Sequence, residues 1–442
     1  MKAHYLPLIT SLLFSAPLAY SENLQLPDMG DSTGTLISPA QEKALGQSFF
    51  RSIRSQLTIS YDADIQNYIQ DIGRRLVTNS DNPYQYFYFF VVLSDDINAF
   101  AGPGGFIGIN SGLILNSESE SELASVMAHE IAHVTQRHIY RAYEAATRLS
   151  LPAAAAMIAA IVVATQAPDV GIGAISAVQA GSVQMQIDFT RDNEQEADRI
   201  GFLNLTSAGF NPEGMPNMFR KLQELSRLSG RENLEFLRSH PITKSRISDS
   251  QNRVNELNKS NYKESLDYDL IKQRIRVHFS KNTRQPIFHF KQSLRKSKLK
   301  EDILISNYGL ALAFSKDNQH SQALASIRKA LALNPTNLIL QTTLLEIHFK
   351  AGHLLEATAL GRELLGINTK NYPLSLLYAK ILMNKGNYEE AENILKNLLP
   401  ERTSDPMVWY WLAEIQGLAK NTISLHRSRA EYFALIARYD EA

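Results

Sequence analysis

The sequence predicts two domains of different fold class, an α+β domain with a small sheet and then an all-α solenoid of paired helices. In the first half, two β-type runs, Tyr86–Leu93 and Gly105–Asn110, stand among helical patterns. In the second half, small residues recur at a fixed interval of 34 positions, which is typical of stacked helix pairs.

The first 21 residues have the features of a secretory signal. Lys2 supplies the basic end, Leu6–Leu18 a short apolar stretch, and Ala19-Tyr20-Ser21 a small-x-small cleavage site. A membrane anchor is the rival interpretation, which the short length and two prolines disfavour. The chain has no cysteine, which excludes a lipid-anchored lipoprotein and disulfides and is compatible with an oxidising compartment.

The charge is balanced, with 45 Lys and Arg against 45 Asp and Glu, and this gives no argument for nucleic-acid binding. Lys272–Lys300 is a local exception, because it carries ten Lys and Arg and no acidic residue. We interpret it as the solvated face of helices that bridge two domains, with a patch for an acidic partner as the alternative.

One uncharged stretch, Leu149–Ala164, is sixteen residues long and rich in alanine. It is too short and too weakly apolar for a convincing membrane span. We expect a buried or mobile helical loop between two metal-binding helices, where it could cover the site. Peripheral contact with a membrane is the alternative.

A five-residue run in the first domain, His129-Glu130-Ile-Ala-His133, predicts a metal site. Residues i and i+4 lie on the same face of a helix, so both imidazoles can reach one cation. Glu130 lies one step round the helix, beside the cation. This arrangement is typical of zincins, in which two histidines bind zinc and a carboxylate takes a proton from water.

A zinc site needs a third protein ligand, and Glu194 is the best candidate. Glu194 and Asp198 stand at i and i+4, so they share a helix face, whereas Glu196 points elsewhere. Asp198 is placed to accept a hydrogen bond from a ligand histidine and fix its tautomer. Ala197 and Gly201 are small enough for close helix packing.

The run His129-Glu130-x-x-His133, followed by Glu194-x-x-x-Asp198, resembles the HtpX-like and CAAX-prenyl-protease family of zinc metallopeptidases. Asn98-Ala-Phe-Ala-Gly-Pro-Gly-Gly-Phe-Ile107 is similar to the strand that this family places before its metal helix. The resemblance implies one zinc ion held by His129, His133 and Glu194, with Glu130 as the general base for peptide hydrolysis. If the Gly105–Asn110 strand borders the cleft, its free edge can pair with substrate, and an ordinary buried strand is the alternative.

Ser239-His240-Pro241, with Thr243 and Arg246, is similar to a segment of the periplasmic members of the family. The resemblance gives His240 two possible roles, an oxyanion stabiliser or a fourth zinc ligand that blocks the open position. A structural turn is the third interpretation. Arg137 and His138, just past the metal motif, are interpreted as structural.

The 34-residue interval is the tetratricopeptide period, and it separates Ala323, Ala357 and Ala391. Trp409 begins a fourth unit, after which the match fades. Such helix pairs stack into a curved solenoid with a concave binding surface. The predicted organisation is a signal at 1–21, a zinc metallopeptidase domain at 22–262 and a repeat domain with a basic helical linker at 263–442.

With a signal and C-terminal repeats, the chain is similar to periplasmic members of this family in Gram-negative bacteria. The resemblance implies a periplasmic zinc metalloendopeptidase that degrades misassembled outer-membrane proteins. It also implies repeats that dock the outer-membrane β-barrel insertion machinery and assist assembly. The alternative is a non-proteolytic assembly scaffold with a latent zinc site, although the intact Glu130 argues against a dead site. An integral-membrane peptidase is disfavoured, because no convincing spanning helix is found.

Overall fold

The computed structural model describes residues 38–83, 85–140, 191–228, 235–258, 261–263, 265–436 and 438–442. The predicted signal at 1–21 and the uncharged stretch Leu149–Ala164 lie outside these residues. None of the helices that the structure describes is long and apolar enough to cross a membrane.

A three-stranded mixed sheet lies in the first domain. Its strands are β1 (Tyr88–Val92), β2 (Ala99–Gly102) and β3 (Phe106–Asn110). The central strand β3 is parallel to β1 and antiparallel to β2. The two predicted strands are confirmed. However, β3 has no free edge for substrate, because β1 is hydrogen-bonded to one of its edges and β2 to the other. Among the described residues, β2 has no partner on its outer side.

The first domain also contains eight helices whose bounds the structure describes. They are α1 (Pro39–Gln56), α2 (Ala63–Thr78), α3 (Ser111–Asn116), α4 (Glu120–Thr135), α5 (Arg191–Ser207), α6 (Gly214–Leu228), α7 (Glu235–Ser239) and α8 (Lys244–Glu256). Side-chain caps fix several starts: Ser38 forms a capping box with Gln41 at α1, and Ser119 accepts from the Glu122 amide at α4.

Helix α4 is the centre of the domain and is buried on nearly every face. Leu123, Met127 and Ile131 are fully buried in the main core, which also contains residues from α2, the sheet, α5 and α6. A helix buried all round removes its polar side chains from water, and those side chains then need partners within the protein.

Helix α5 packs closely against α4 at a glycine. A Cβ added to Gly201 would lie 3.0 Å from the backbone nitrogen of His129 and 3.1 Å from the Ala128 oxygen. The prediction that Gly201 permits close helix packing is therefore confirmed. Gly209, with a φ of 74°, follows the end of α5, where glycine commonly terminates a helix.

The second half is entirely helical in the described residues. Its helices are α9 (Leu266–His278), α10 (Arg284–Lys296), α11 (Lys300–Lys316), α12 (His320–Leu333), α13 (Leu338–Lys350), α14 (Leu354–Ile367), α15 (Tyr372–Asn384), α16 (Tyr388–Lys396), α17 (Leu399–Arg402), α18 (Pro406–Leu418) and α19 (Thr422–Leu435). Ala323, Ala357 and Ala391 are fully buried in second helices of successive pairs. The repeat solenoid is confirmed.

The turns inside the four helix pairs share a backbone feature. Asn318, Gly352, Gly386 and Lys420 all have a positive φ, at 58°, 77°, 86° and 59°. These positions also recur every 34 residues, so each pair is closed by one left-handed residue after its first helix. The fourth pair, α18 and α19, keeps this turn although its sequence match fades.

Helix α9 connects the two domains and contributes side chains to both of their hydrophobic cores. Tyr268 and Ile275 pack in the core of the first domain, whereas Leu270 and Val277 pack in the core of the first repeats. This supports the interpretation of the basic stretch as part of a bridge between domains. The predicted boundary between residues 262 and 263 stays a prediction.

The repeats also contact the first domain directly. Arg402 Nη2 donates to Asn67 Oδ1 of α2 at 2.8 Å, and Arg54 Nη1 of α1 donates to the Leu435 carbonyl at 2.6 Å. Ala63 of α2 packs against the repeat core around α15. The repeats are therefore packed against the chain's own first domain at these positions.

Candidate metal centre

Four buried side chains converge between α4, α5 and the loop after α7. They are His129 and His133 of α4, Glu194 of α5, and His240 in the loop that precedes α8. One ligand atom from each lies within 4.8 Å of all the others. His133 is fully buried, and the other three are at most 3% exposed.

The spacing of these atoms fits a tetrahedral metal ion. His129 Nε2 lies 3.0 Å from His133 Nε2, and Glu194 lies 3.4 Å from the first and 3.3 Å from the second. His240 Nδ1 lies 3.3 Å from His129 Nε2 and 2.9 Å from Glu194 Oε1. A tetrahedral zinc site with bonds of about 2.0–2.1 Å places its ligand atoms about 3.3 Å apart. The residues present therefore fit a zinc ion.

Glu130 lies beside this cluster without belonging to it. It is buried, and neither of its carboxylate oxygens has a hydrogen-bond partner in the part of the chain that the structure describes. The Nε2 of His240 is 3.4 Å from Glu130 Oε1, too far for a strong hydrogen bond. A buried carboxylate without such a partner is costly, which indicates a functional role.

Asp198 lies behind His129, where the sequence places it. Asp198 Oδ1 is 3.0 Å from His129 Nδ1, so the carboxylate can hold the proton on that nitrogen and leave Nε2 for the cluster. Burial disfavours the imidazolium, but the hydrogen bonds to Asp198 and Glu194 outweigh it and raise the pKa of His129 to about 9. Burial outweighs the hydrogen bond to Glu194 at His133 and holds the pKa of His133 well below its usual range.

Arg246 of α8 connects the acidic residues of the site. Its Nε and Nη2 donate to the two oxygens of Asp198 at 2.6 and 2.7 Å, and Nη1 lies 2.7 Å from Glu194 Oε2. Nη1 also donates to the Pro241 carbonyl at 2.8 Å, next to His240. The pKa values of Glu194 and Asp198 are lowered despite burial, because histidine and arginine charges surround them.

A further histidine, His138, contacts the site on the side of His133 that faces away from the donor cluster. His138 Nδ1 lies 2.7 Å from His133 Nδ1, and His138 Nε2 lies 3.0 Å from Glu196 Oε2. These contacts connect His138 to a residue of the cluster, and its interpretation as structural stays a prediction. Glu196 is connected to the site through His138 although it lies off the face of Glu194.

The structure brings together every residue that the sequence suggested for the site. Three participants were missed as such: Arg246, His138 and Glu196. The sequence places Arg246 in the segment that resembles the family but indicates no role for it. His138 stands five residues after His133, and residues five apart in a helix do not lie on the same face.

Comparison with known proteins agrees with this geometry. Residues 64–254 match the model of Peptidase family M48, and residues 305–337 and 348–415 match tetratricopeptide repeats. The fold and the site, together with this match, define a metalloendopeptidase.

Similarity to individual proteins extends over nearly the whole chain. The β-barrel assembly-enhancing protease of Escherichia coli (strain K12) is 34% identical over 94% of this chain and 85% of its own length. The protein of that name in Yersinia pestis is 32% identical over 98% and 91%. Metalloprotease LoiP of E. coli is 26% identical over 49% of this chain and 82% of its own length. The chain therefore belongs to the β-barrel assembly-enhancing proteases of peptidase family M48.

Proposed function

We propose that the chain is a periplasmic zinc metalloendopeptidase that degrades misassembled outer-membrane proteins and, through its repeats, assists β-barrel assembly. One observation supports the peptidase role most strongly: four buried donor atoms converge at tetrahedral spacing beside the unpartnered carboxylate of Glu130. A scaffold without activity would have no use for that carboxylate in a buried position.

We assign His129, His133 and Glu194 as the zinc ligands. A zinc ion bound here lowers the pKa of water to about 7 and polarises the scissile carbonyl. Glu130 accepts the proton from the attacking water at a carboxylate oxygen and returns it to the leaving amine. Asp198 and Arg246 hold the ligands in place, since Asp198 contacts His129 and Arg246 contacts both acids.

His240 is proposed as a fourth ligand that closes the site. Its Nδ1 completes the set of four donors at tetrahedral spacing, which supports this role over that of an oxyanion stabiliser. Substrate must then displace His240. The loop from His240 to Thr243, between α7 and α8, is short, and Arg246 is bonded to its Pro241 carbonyl. The position of His240 therefore depends on the same arginine that holds Glu194.

The proposed substrate is an extended segment of an unfolded outer-membrane protein. β2 packs near α4, and its outer edge has no strand partner among the described residues, so we propose it in place of β3 as the edge that pairs with substrate. The name of the relatives supports β-barrel proteins as clients. We propose that the insertion machinery docks on the outward helices of the repeats, where Leu355, Ile367 and Ile423 are exposed.

Replacing Glu130 by Gln tests the peptidase assignment. The base is lost while the ligands remain, so the variant should bind one zinc ion and lose at least about 100-fold in cleavage, because a general base contributes about 10²–10⁴-fold. Zinc content and cleavage of an unfolded test protein are measured on the same preparation. Residual cleavage above about a hundredth of wild type would show that Glu130 is not the base.

Replacing His240 by Ala separates the roles of this residue. A blocking ligand predicts more cleavage of non-cognate unfolded proteins and somewhat weaker zinc binding, because one ligand is lost and the site is opened. An oxyanion stabiliser instead predicts turnover lower by about 10²–10³-fold. Unchanged activity with unchanged zinc affinity would leave only a structural role. His289, which lies on α10 outside the donor cluster, provides a control variant, His289→Ala.

A further inference from the structure

His133, His138 and Glu196 form a hydrogen-bonded row that ends at the surface. His133 Nδ1 lies 2.7 Å from His138 Nδ1, and His138 Nε2 lies 3.0 Å from Glu196 Oε2. Both imidazoles are fully buried, whereas the Glu196 side chain is 31% exposed. The row uses the ring nitrogen of His133 that does not face the donor cluster.

The chemistry of these groups defines where the protons lie. The Glu196 carboxylate only accepts, so His138 Nε2 carries a hydrogen. A neutral His138 then presents a lone pair at Nδ1, and the hydrogen in the 2.7 Å contact belongs to His133 Nδ1. His133 Nε2 is left with its lone pair, and this is the atom that lies 3.0 Å from His129 Nε2 in the cluster.

We propose that His138 and Glu196 are positioning residues that fix the tautomer of His133 and aim its Nε2 at the metal. This inference rests on the proposed zinc site. In this proposal, the Nδ1 atoms of the two ligand histidines of α4 have hydrogen-bond partners of different chemical type. His129 has the Asp198 carboxylate 3.0 Å from its Nδ1, whereas the Nδ1 of His133 contacts the His138 imidazole, which in turn contacts the Glu196 carboxylate.

The backbone at Arg137 makes this contact possible. In a continuous helix, five residues advance the chain by roughly 140° around the axis beyond a full turn, so His138 would not face His133. Helix α4 instead ends at Thr135, and Arg137 adopts a φ of 57°, a left-handed conformation that is uncommon for a residue with a side chain. This turn brings His138 back beneath His133.

Zinc affinity of the full-length protein tests the proposal without relying on activity. In competition with a chelator, His138→Phe should bind zinc about 10–100-fold more weakly, as is typical when a residue that supports a metal ligand is lost. Glu196→Leu should weaken binding less, and Glu196→Gln least, because Gln keeps an acceptor oxygen. Asp192→Asn, on an exposed residue of the same helix, is the control and should bind as wild type does.

The position of the hydrogen on the His133 ring distinguishes a positioning role from a purely structural one, because a purely structural role predicts no change in the tautomer. In metal-free protein with ¹⁵N-labelled histidine, NMR should find the His133 hydrogen on Nδ1, assigned by comparison with His133→Gln. In Glu196→Leu, a change at a partly exposed position, this hydrogen should redistribute between the two nitrogens. An unchanged tautomer in that variant would overturn the proposal.

Two substitutions at Arg137 test the turn itself. Arg137→Gly and Arg137→Val both remove the guanidinium group, but only glycine favours a positive φ. Glycine should therefore keep wild-type zinc affinity and valine should lose it; equal affinities would contradict the role of the turn. If wild-type protein binds no zinc, the proposed function fails. If wild type and His138→Phe bind it equally tightly, only the positioning role fails.

Discussion

Two buried arginines, Arg246 and Arg274, each form ion pairs with several carboxylates. The first lies at the candidate metal centre and the second at the junction of the two domains. Arg246 binds Asp198 and Glu194 at the metal centre. Arg274 of α9 lies at the junction of the two domains. Its guanidinium contacts three carboxylates there at 2.9–3.0 Å, those of Asp62, Asp64 and Glu346.

The position of the positive charge distinguishes the two clusters. At the junction, the Arg274 guanidinium is itself the cation on which the acids of α2 and α13 converge. At the metal centre, Arg246 stands to one side, while the imidazole nitrogens of His129 and His133 approach each other within 3.0 Å. Such an approach of two nitrogens needs a proton or a metal ion between them. A concentration of buried acids alone therefore does not indicate a metal site.

Replacing Arg274 by Met should give the largest effect on stability. It would leave three carboxylates without their common partner, and breaking a buried ion pair in this way costs about 3–5 kcal/mol. Urea unfolding should show this loss, with zinc content unchanged. Arg276→Met on the same helix, where the side chain is only partly buried, should cost less than about 1 kcal/mol. An equal effect of the two variants would show that the junction does not depend on Arg274.

Replacing Arg246 by Met should instead act on the metal. It frees Glu194 and Asp198 and loosens the Pro241 carbonyl next to His240, so zinc affinity should fall by about 10–100-fold. Excess zinc should restore part of the lost cleavage. Arg253→Met on the same helix, whose partner Asp249 is exposed, is the control. Normal zinc affinity in Arg246→Met would contradict the role assigned to this arginine.

The smallest effect is expected from Asp64→Asn, and it should depend on pH. Burial, with the charges of Asp62 and Glu346, raises the pKa of Asp64 to about 7 against the opposing charge of Arg274. The unfolded value is about 3.9, so Asp64 costs stability increasingly as the pH rises from about 4 to about 7. Asparagine removes this cost. The variant should melt a few degrees above wild type at pH 8.5, with a smaller gain at pH 5; equal gains would contradict the raised pKa.

The two clusters also differ in how far the sequence predicts them. The proposed metal ligands of α4 and α5 follow helical spacing, so His129, His133 and Glu194 could be selected from the sequence. Arg274 contacts Asp62 and Glu346 across 212 and 72 residues, with no local pattern to connect them. His138 escaped prediction because a left-handed residue, not helical periodicity, places it against His133.

The same distinction holds for the fold. The repeats could be predicted, because each unit repeats one local pattern and contacts its neighbours. The order of strands could not, because pairing depends on residues distant in the chain, and the short strand β2 carries little signal of its own. The packing of α2 against the repeats likewise follows from contacts such as that of Asn67 with Arg402, which lie 335 residues apart.

Anomalous diffraction at the zinc edge, from crystals of the full-length protein supplied with one equivalent of zinc, tests the central claim most directly. The account predicts one peak within bonding distance of His129 Nε2, His133 Nε2 and Glu194, with His240 as the fourth neighbour, and no peak at the Arg274 cluster. Absence of a peak at the histidines, or a peak among the junction carboxylates, would contradict it.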